Sequence, residues 1–430
     1  MTMIKPFRSL RYHRPVVEKI SDYIAPPYDV ITPEGQEDLY SRSEFNIARI
    51  DYPKKEKGAD IYKESARLMN EWIEKDVLVV ESKPAIYVLE DYYIDWEGYR
   101  RIRRGFIALF KVEDFEEGNI FPHERTFEKH KEDRFKLLEA TDSQFNPVFS
   151  FYSDENREVT KILKKVVDHR LPDWNFRYDD GATRTMWTLT DPLAIQQISK
   201  AMESKKLFIA DGHHRYSTAL NYSKMMDEKN DTHGKDKPYN YTLMYFVNTE
   251  NEGLSILMAH RMLKNLPDSS EQTILDKLSD GFVIKEIDYK RMTGIISNGT
   301  DPYRMVIQIG PKFFCIDAKK EAIEANEELN KMHETVRVLN VSICQEMIIK
   351  PLVGSTEDIL DHMGYETDPE KVNENIHKGK YDVAIYMAPV LISDLEKVAK
   401  AKQVMPQKST YFYPKLLTGL VIYNHSFNNV

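Results

Sequence analysis

Residues 207–217 read LFIADGHHRYS, and this stretch decides the fold because its character changes at a single glycine. The apolar run 207–210 has the composition of a buried strand, whereas apolar and small residues recur at helical spacing from 216 to 223. A strand that stops at a glycine and continues as a helix leaves the first helical N–H groups unpaired, which favours anion binding. The alternative is a helix capped by Asp211 and followed by exposed basic residues.

Length and composition limit the class of protein. The chain has 430 residues, 41% hydrophobic and 30% charged, and a formal net charge of −9. This length predicts two or three domains, or one domain with large insertions. The acidic excess gives no general attraction for nucleic acid, so we do not expect that partner. The sequence does not indicate an oligomeric state.

Features that would place the chain at a membrane or outside the cell are missing from the sequence. No window approaches eighteen consecutive apolar residues, and residues 1–14 lack the apolar segment of a signal peptide, so we expect no membrane partner. The only cysteines, Cys315 and Cys344, exclude a disulfide framework and favour a reducing cytoplasm.

Strands and helices alternate along the sequence, which predicts an α/β or α+β fold with mixed sheets and interleaved helices. Strands are predicted at 85–94, 105–112, 146–152, 186–189, 239–248, 282–288, 304–316 and 380–387. Helices are predicted at 60–75, 131–140, 155–167, 193–202, 271–279, 320–333 and 393–402. We expect an N-terminal catalytic region at 1–265 and a C-terminal α/β region at 266–430 that folds back on the site.

Two charged segments are interpreted as solvent-facing. The first two predicted strands resemble a hairpin, and YRRIRR (99–104) reads as a strand with one basic, solvated face. The polar segment 227–237 is interpreted as a solvent loop.

Several common cofactor motifs are missing from the sequence. It contains neither G-x-x-x-x-G-K-[ST] nor G-x-G-x-x-G, and neither G-x-S-x-G nor HExxH. His213 and His214 would point about 100° apart on a helix, a poor arrangement for holding one ion together. A metal site assembled across the fold stays open.

Four polar clusters stand out, and each has a structural alternative. The clusters are PPYD (26–29), HERT (123–126), DGHHR (211–215) and KSTY (408–411) with Lys415. The alternatives are a turn capped by aspartate, surface decoration, a capped helix, and an edge strand whose lysines reach solvent. Taken together, the clusters supply acids and cationic donors, the groups that phosphoryl transfer to a hydroxyl requires.

These clusters belong to a set of motifs that resembles a known family. The motifs are PFRSLRY (6–12), IAPPYDVI (24–31), HERT (123–126), Lys131-x-Asp133-Arg134, ADGHHRYSTA (210–219), His260-Arg261 and MPQKSTYFYPK (405–415). Together they resemble the DUF1015 family over essentially the whole chain. The DGHHR element also resembles the nucleotide-handling loop of the ParB/sulfiredoxin-like superfamily, whose members include free serine kinases of cysteine biosynthesis. This resemblance implies a ParB/sulfiredoxin-like core.

The resemblance also implies an activity. A kinase of this kind would phosphorylate free L-serine to O-phosphoserine, with pyrophosphate or a nucleotide as donor. Mg²⁺ is the expected cofactor, because phosphoryl donors usually arrive with a divalent ion on their phosphate oxygens.

The resemblance and the neighbouring clusters together assign the site residues. The predicted phosphate ligands are His213, His214, Arg215, His123, Arg125 and Lys408. The predicted substrate contacts are Tyr28, Thr126, Ser409, Thr410 and Lys415. Glu124 is the expected general base with Asp29 as the alternative, and Asp211 is expected to contact a metal or the hydroxyl.

Two other functions stay open. A metal-dependent phosphatase or hydrolase would use the histidines and release phosphate to water without needing serine. A ParB-like nucleotide- or nucleic-acid-binding protein would show a strongly basic face and salt-dependent binding.

Overall fold

The computed structural model describes residues 1–428 except 56, 57, 59, 96, 97, 125–127, 234, 252, 298–300, 355–358 and 407, with only the backbone at 128–130 and 360. The chain forms two compact units. The first unit comprises residues 1–122, 126–254 and 414–430, and the second comprises 123–125 and 255–413. The sequence analysis places the division after residue 265. That assignment of two regions, 1–265 and 266–430, stays a prediction.

The strands are named in chain order over the described residues. They are β1 (Ile4–Lys5), β2 (Leu10–Tyr12), β3 (Leu78–Val80), β4 (Ile86–Ile94), β5 (Arg100–Lys111), β6 (Ile120–Phe121), β7 (Ser143–Gln144), β8 (Val148–Tyr152), β9 (Trp174–Arg177), β10 (Thr183–Leu189), β11 (Leu207–Asp211), β12 (Tyr241–Asn248), β13 (Ser255–Leu257), β14 (His260–Leu263), β15 (Phe282–Ile287), β16 (Arg304–Ile309), β17 (Lys312–Ala318), β18 (Met363–Glu366), β19 (Val383–Tyr386), β20 (Tyr411–Tyr413) and β21 (Tyr423–Asn424).

The α-helices are named in the same way. They are α1 (Pro33–Arg42), α2 (Ala48–Asp51), α3 (Ile61–Glu74), α4 (Glu128–Thr141), α5 (Glu158–His169), α6 (Pro192–Met202), α7 (His213–Asn230), α8 (Glu271–Ser279), α9 (Tyr289–Ser297), α10 (Lys320–Ala325), α11 (Glu327–Asn330), α12 (Glu334–Arg337), α13 (Asn340–Cys344), α14 (Lys350–Val353), α15 (Pro369–His377) and α16 (Ile392–Lys400).

A mixed sheet in the order β6-β11-β8-β12-β5-β4-β10-β9 forms the centre of the first unit, and β1 pairs with β5. Strands β8 and β12 are buried along their whole length, as expected for uninterrupted apolar runs in the middle of a sheet. They run parallel to each other, and β11 lies antiparallel on the other side of β8. This arrangement places the carboxyl end of β11 beside the start of β8.

One face of this sheet is covered by α5 and α6. Their apolar stripes, which include Leu163 and Ile198, pack on sheet residues such as Phe106, Phe246 and Ile209 in one buried cluster. The apolar stripe on each of these two helices is therefore the side that packs on the sheet.

The second unit has its own antiparallel sheet in the order β15-β17-β16-β19-β14-β18. A buried cluster that includes Met262, Met292, Phe313, Val372 and Tyr386 lies on one of its faces. Strands β13 and β20 form a separate pair.

The mixed α/β class is confirmed, and so is the hairpin of β4 and β5. Four local predictions are wrong. The strand expected at 304–316 is a hairpin of β16 and β17, because the chain reverses at Gly310, which has a φ of +54°. Helix α7 continues to Asn230, four residues into the expected loop, and the helix expected at 320–333 is divided at Asn326, whose side chain caps α11. Arg103 is fully buried rather than solvated, because it lies opposite Asp91 in the hairpin and forms an ion pair at 2.9 Å.

Candidate functional site

The strand-to-helix step at 207–217 is present as predicted. Strand β11 ends at Asp211, Gly212 has a φ of +91°, and α7 begins at His213. Only glycine adopts this left-handed conformation without strain, and a Cβ there would lie 2.9 Å from the guanidinium of Arg215. The alternative of an aspartate cap is wrong, because Gly212 and not Asp211 occupies the N-cap position. Since glycine has no side chain, the N-cap residue itself offers no acceptor to the first amides of α7.

Asp211 lies between two cations in the first unit. Its Oδ2 accepts from Arg215 at 2.5 Å, and its Oδ1 accepts from Lys415 at 2.5 Å. The three side chains are 13–19% exposed. Burial alone would raise the pKa of Asp211, but the charges of Lys415 and Arg215 outweigh it and hold that pKa well below its usual range. The carboxylate stays ionised and fixes both cations.

Asn146 ties Arg215 to the C-terminal segment. Arg215 donates from Nη1 to the Asn146 side-chain oxygen and to the carbonyl of Pro147. The Asn146 amide in turn donates to the carbonyl of Leu416 at 3.1 Å and to the hydroxyl of Thr418 at 2.9 Å. The segment that follows Lys415 is thereby held at Leu416 and Thr418, while Lys415 itself is held at its ammonium group.

A pocket lies beside Arg215 in the first unit, and its empty volume of about 510 Å³ includes space that is open to solvent. Its polar wall includes Tyr28, Asp51, Arg134, Asn146, Arg215 and Thr218, and its apolar wall includes Leu137, Leu138 and Phe145. The structure thus brings Tyr28, one of the predicted substrate contacts, into the same pocket as Arg215.

Arg134 organises the Tyr28 side of this pocket. Its guanidinium lies 4.1 Å from the centre of the Tyr28 ring and donates to Asp51 Oδ1 at 3.0 Å and to Asp133 Oδ2 at 2.7 Å. Burial raises the pKa of Tyr28 to about 12 against the opposing charge of Arg134, so its hydroxyl stays protonated. Burial also raises the pKa of Asp51 despite its pairing with Arg134.

The two histidines of the loop differ in exposure. His213 is buried and its charge contributes to lowering the pKa of Asp211, whereas His214 is half-buried. Their assignment as phosphate ligands stays a prediction.

Five other predicted site residues belong to the second unit: His123, Glu124, Lys408, Ser409 and Thr410. His123 is buried, and its Nε2 lies 3.1 Å from the hydroxyl of Thr410. The hydroxyl of Ser409 donates to the carbonyl of Pro406. Glu124 is half-buried near Tyr365, and Lys408 is exposed with a φ of +54°.

The remaining predicted residues are Asp29, Arg125 and Thr126. Asp29 is exposed in the first unit, one residue after Tyr28. Arg125 and Thr126 lie outside the described residues.

The pocket residues that were not predicted from the sequence include the polar residues Asn146, Arg134 and Asp51. Asn146 was interpreted only as the start of an Asn-Pro turn, and Arg134 only as part of a family motif. Nothing in the sequence around Asp51 indicated a site residue, because it follows an apolar segment and precedes a proline-containing loop.

A metal site can be assessed over the described part of the chain. There, no group of three or more His, Cys, Asp or Glu side chains is arranged to hold an ion. Among the same residues, no helix combines the length and hydrophobicity needed to cross a bilayer.

The chain matches the model of a family described as a protein of unknown function (DUF1015) over residues 4–342. It therefore belongs to that family, as its motifs predicted. No curated protein is significantly similar to it.

Solved structures give distant matches. A free serine kinase in complex with AMP is 13% identical with a TM-score of 0.34, over 68% of this chain and 83% of that one. A conserved hypothetical protein from Pyrococcus furiosus is 14% identical with a TM-score of 0.34, over 70% and 91%. SbnI with a C-terminal truncation, from Staphylococcus aureus, is 9% identical with a TM-score of 0.35, over 70% and 83%. Scores this low carry no argument, and the ParB/sulfiredoxin-like core stays a prediction.

Proposed function

We propose that the protein is a phosphotransferase that moves a phosphoryl group from pyrophosphate or a nucleotide to the hydroxyl of free L-serine, giving O-phosphoserine. The observation that carries this proposal is the pair of cations, Arg215 and Lys415, that Asp211 holds at the start of α7. A helix N-terminus beside an arginine and a lysine suits phosphate oxygens. The choice of serine as acceptor is supported by the family motifs alone.

Arg215 has capacity for a ligand besides Asp211. In the described part of the chain, Arg215 uses one Nη2 hydrogen for Asp211 and its Nη1 for Asn146 and Pro147. Its Nε–H and second Nη2 hydrogen are left for a phosphate oxygen, since a guanidinium has five donors. Because these groups are fixed before substrate binds, they can stabilise developing charge without reorganisation.

The reaction is a displacement at phosphorus. The serine Oγ forms a bond to the terminal phosphorus while the bond from that phosphorus to the bridging oxygen breaks, releasing phosphate or the shortened nucleotide. The hydroxyl proton passes to a carboxylate, for which we keep Glu124, with Asp29 as the alternative. Asp211 is a poor proton acceptor because its pKa is held low by two cations.

We place serine in the pocket that contains Tyr28 and borders Arg215. Its polar wall has both a carboxylate, Asp51, and guanidinium groups, the two kinds of charge that a zwitterion requires.

The residues present do not fit a Mg²⁺ ion held by protein side chains alone. Asp211 was the predicted ligand, and both of its oxygens accept from cations. No step above depends on such an ion, and Mg²⁺ carried by the donor's phosphate oxygens stays a prediction.

The test is formation of O-phosphoserine by the purified full chain. The protein is mixed with L-serine, Mg²⁺ and in turn pyrophosphate, ADP, ATP or CTP, and the product is identified by ³¹P NMR and mass spectrometry. Lys415→Met is expected to reduce kcat/KM by roughly 10²–10³-fold, the usual effect of losing one donor to a transition-state oxygen. The matched control is Lys224→Met, which removes an exposed lysine of α7 paired with Asp114 and should leave the rate unchanged.

The other functions give different results in the same experiment. Release of phosphate without dependence on serine would indicate a hydrolase. Tight, salt-sensitive retention of DNA without turnover would indicate the nucleic-acid-binding alternative. If none of the four donors yields O-phosphoserine, the proposal is wrong.

A further inference from the structure

Arg184 is a buried cation of the first unit to which the proposed reaction assigns no role. It lies on β10 and is 1% exposed. Its Nη2 donates to the main-chain carbonyl of Lys415 at 3.2 Å, across 231 positions of the chain. Lys415 is therefore bonded at two points, since its carbonyl accepts from Arg184 and its ammonium group donates to Asp211 at 2.5 Å. All three residues belong to the first unit.

Two carboxylates hold the guanidinium of Arg184 in place. Asp180 accepts from Nη1 at 2.8 Å and also from Nη2. Asp91 is fully buried, and its Oδ1 lies 3.5 Å from Nε of Arg184. Burial opposes the charge of Arg184, but Asp180 and Asp91 raise its pKa above the ordinary value, so the group stays charged. The donor that reaches Lys415 is therefore both charged and fixed.

Asp91 extends this network to a second buried arginine. It pairs with Arg103 at 2.9 Å, and the guanidinium carbon of Arg103 lies 4.8 Å from the centre of the Phe149 ring. Buried ion pairs add little net stability, because the cost of desolvating the charges offsets their attraction. Their clearest effect is a fixed geometry, and within the described residues it is Arg184, not Arg103, that bonds to Lys415.

Lys415 depends on such support more than its neighbouring cation does. Its ammonium group lies at the end of a flexible four-carbon stem, so its position depends on where the main chain is held. Arg215, in contrast, has a planar fork that Asp211, Asn146 and Pro147 fix directly. A misplacement of about 1 Å at a reacting centre can lower a rate roughly 10²-fold.

We propose that Arg184 is a positioning residue for Lys415, holding its main-chain carbonyl so that the ammonium group stays on Asp211 and faces a phosphate oxygen of the donor. The effect on reaction rate rests on the proposed phosphoryl transfer. The effect on the contact between Lys415 and Asp211 does not, so the two can be tested separately.

The first test measures the coupling between Lys415 and Asp211 without any substrate. Urea unfolding of the full chain is followed by tryptophan fluorescence for Lys415→Met, Asp211→Asn and the double variant, which together give the coupling free energy. The cycle is measured in the wild-type chain and again in the Arg184→Met and Arg103→Met backgrounds. We expect the coupling to fall by at least half in Arg184→Met and to stay unchanged in Arg103→Met. Arg103 is the matched control because it is equally buried and shares the partner Asp91.

The second test measures phosphoryl transfer with the donor that supports it. Arg184→Met is expected to lower kcat roughly 10–10²-fold and to change the KM for serine by less than about threefold, because Lys415 acts on the transition state. In the Lys415→Met background the same substitution should change kcat by less than about twofold, since the residue that it acts through is gone. A merely structural role would not make the effect of Arg184→Met depend on Lys415.

A milder pair of variants covers the case in which Arg184→Met does not fold. Asp180→Asn then decides, because it weakens the hold on Arg184 at a side chain that is 26% exposed. Its matched control is Asp179→Asn at the preceding residue, which is 59% exposed and pairs with Arg42. We expect the coupling between Lys415 and Asp211 to fall in Asp180→Asn and to stay unchanged in Asp179→Asn.

Three results would overturn the positioning role. The coupling could be the same with and without Arg184, or Arg103→Met could lower it as much as Arg184→Met does. Arg184→Met could also lower kcat as strongly in the Lys415→Met background as in the wild type. If no donor yields O-phosphoserine, the proposed function fails and the coupling alone decides the role of Arg184. If O-phosphoserine forms but the coupling does not change, the positioning role fails and the proposed function stands.

Discussion

Replacing Asp211 with asparagine removes the one negative charge that the structure places between Lys415 and Arg215. The substitution keeps the shape of the side chain but leaves two cations, 13–14% exposed, facing a neutral amide. Removing one partner of a buried ion pair costs about 3–5 kcal/mol. Because Asp211 is 19% exposed, water compensates part of this loss, and we expect the lower end, about 3 kcal/mol at pH 7.

The expected loss depends on pH in a defined direction. The pKa of Asp211 is depressed in the folded state, so its contribution to stability is complete above the unfolded aspartate value of about 4. It is lost as the pH falls further, through the folded-state pKa. The difference in unfolding free energy between wild type and variant should therefore be full at pH 7 and shrink below about pH 4.

Urea unfolding followed by tryptophan fluorescence measures this difference. The tryptophans that the structure describes, Trp72, Trp174 and Trp187, belong to the first unit, so their fluorescence reports the unit that contains Asp211. A control variant, Asp317→Asn, breaks an exposed ion pair of the second unit.

Tryptophan fluorescence does not report unfolding of the second unit, so the stability of Asp317→Asn is measured by thermal unfolding in far-UV circular dichroism. We expect this variant to lose no more than about 1 kcal/mol of unfolding free energy. The argument about the buried charge would be refuted if Asp211→Asn unfolded within about 0.5 kcal/mol of wild type at pH 7, the ordinary range for surface substitutions.

Three further predictions concern Gly212 and Thr218 of the first unit and Cys344 of the second unit. Gly212→Ala should lower the unfolding free energy by about 1–2 kcal/mol in urea, because alanine is strained at a φ of +91° and its Cβ would displace Arg215; unchanged stability would contradict the described turn. Thr218→Val should be at least as stable as wild type in the same assay, because the buried hydroxyl has no hydrogen-bond partner among the described residues; a clear loss would indicate a missed partner. Cys344 should react with Ellman's reagent only on unfolding, because the thiol is buried and its pKa is raised to about 11; rapid labelling of Cys344 in the native protein, located by mass spectrometry, would contradict that burial.

Local patterns in the sequence predicted the fold better than the site. The strand, glycine and helix at 207–217 could be predicted because strand and helix periodicities meet at one residue. Arg103 was misjudged because its burial depends on Asp91, which lies opposite it only once β4 and β5 pair. An alignment of the two strands as a hairpin would have shown this pair.

The partners within the site lie too far apart in the chain for periodicity to connect them. Lys415 contacts a carboxylate 204 positions earlier, and Asn146 reaches Arg215 across 69 positions. Motif resemblance placed Lys415 and Arg215 among the important residues, but their shared contact with Asp211 required the folded chain.

The return of residues 414–430 to the first unit has a consequence for folding during synthesis. Lys415 and β21 leave the ribosome after the whole second unit, yet they pair with Asp211 and β7 of the first. Domains generally fold as units in the order of synthesis, so the second unit can fold while the first still lacks its last segment. A nascent chain that lacks this segment therefore carries no assembled cation pair, and the chemistry proposed for this site begins only after Lys415 has been synthesised and has reached Asp211.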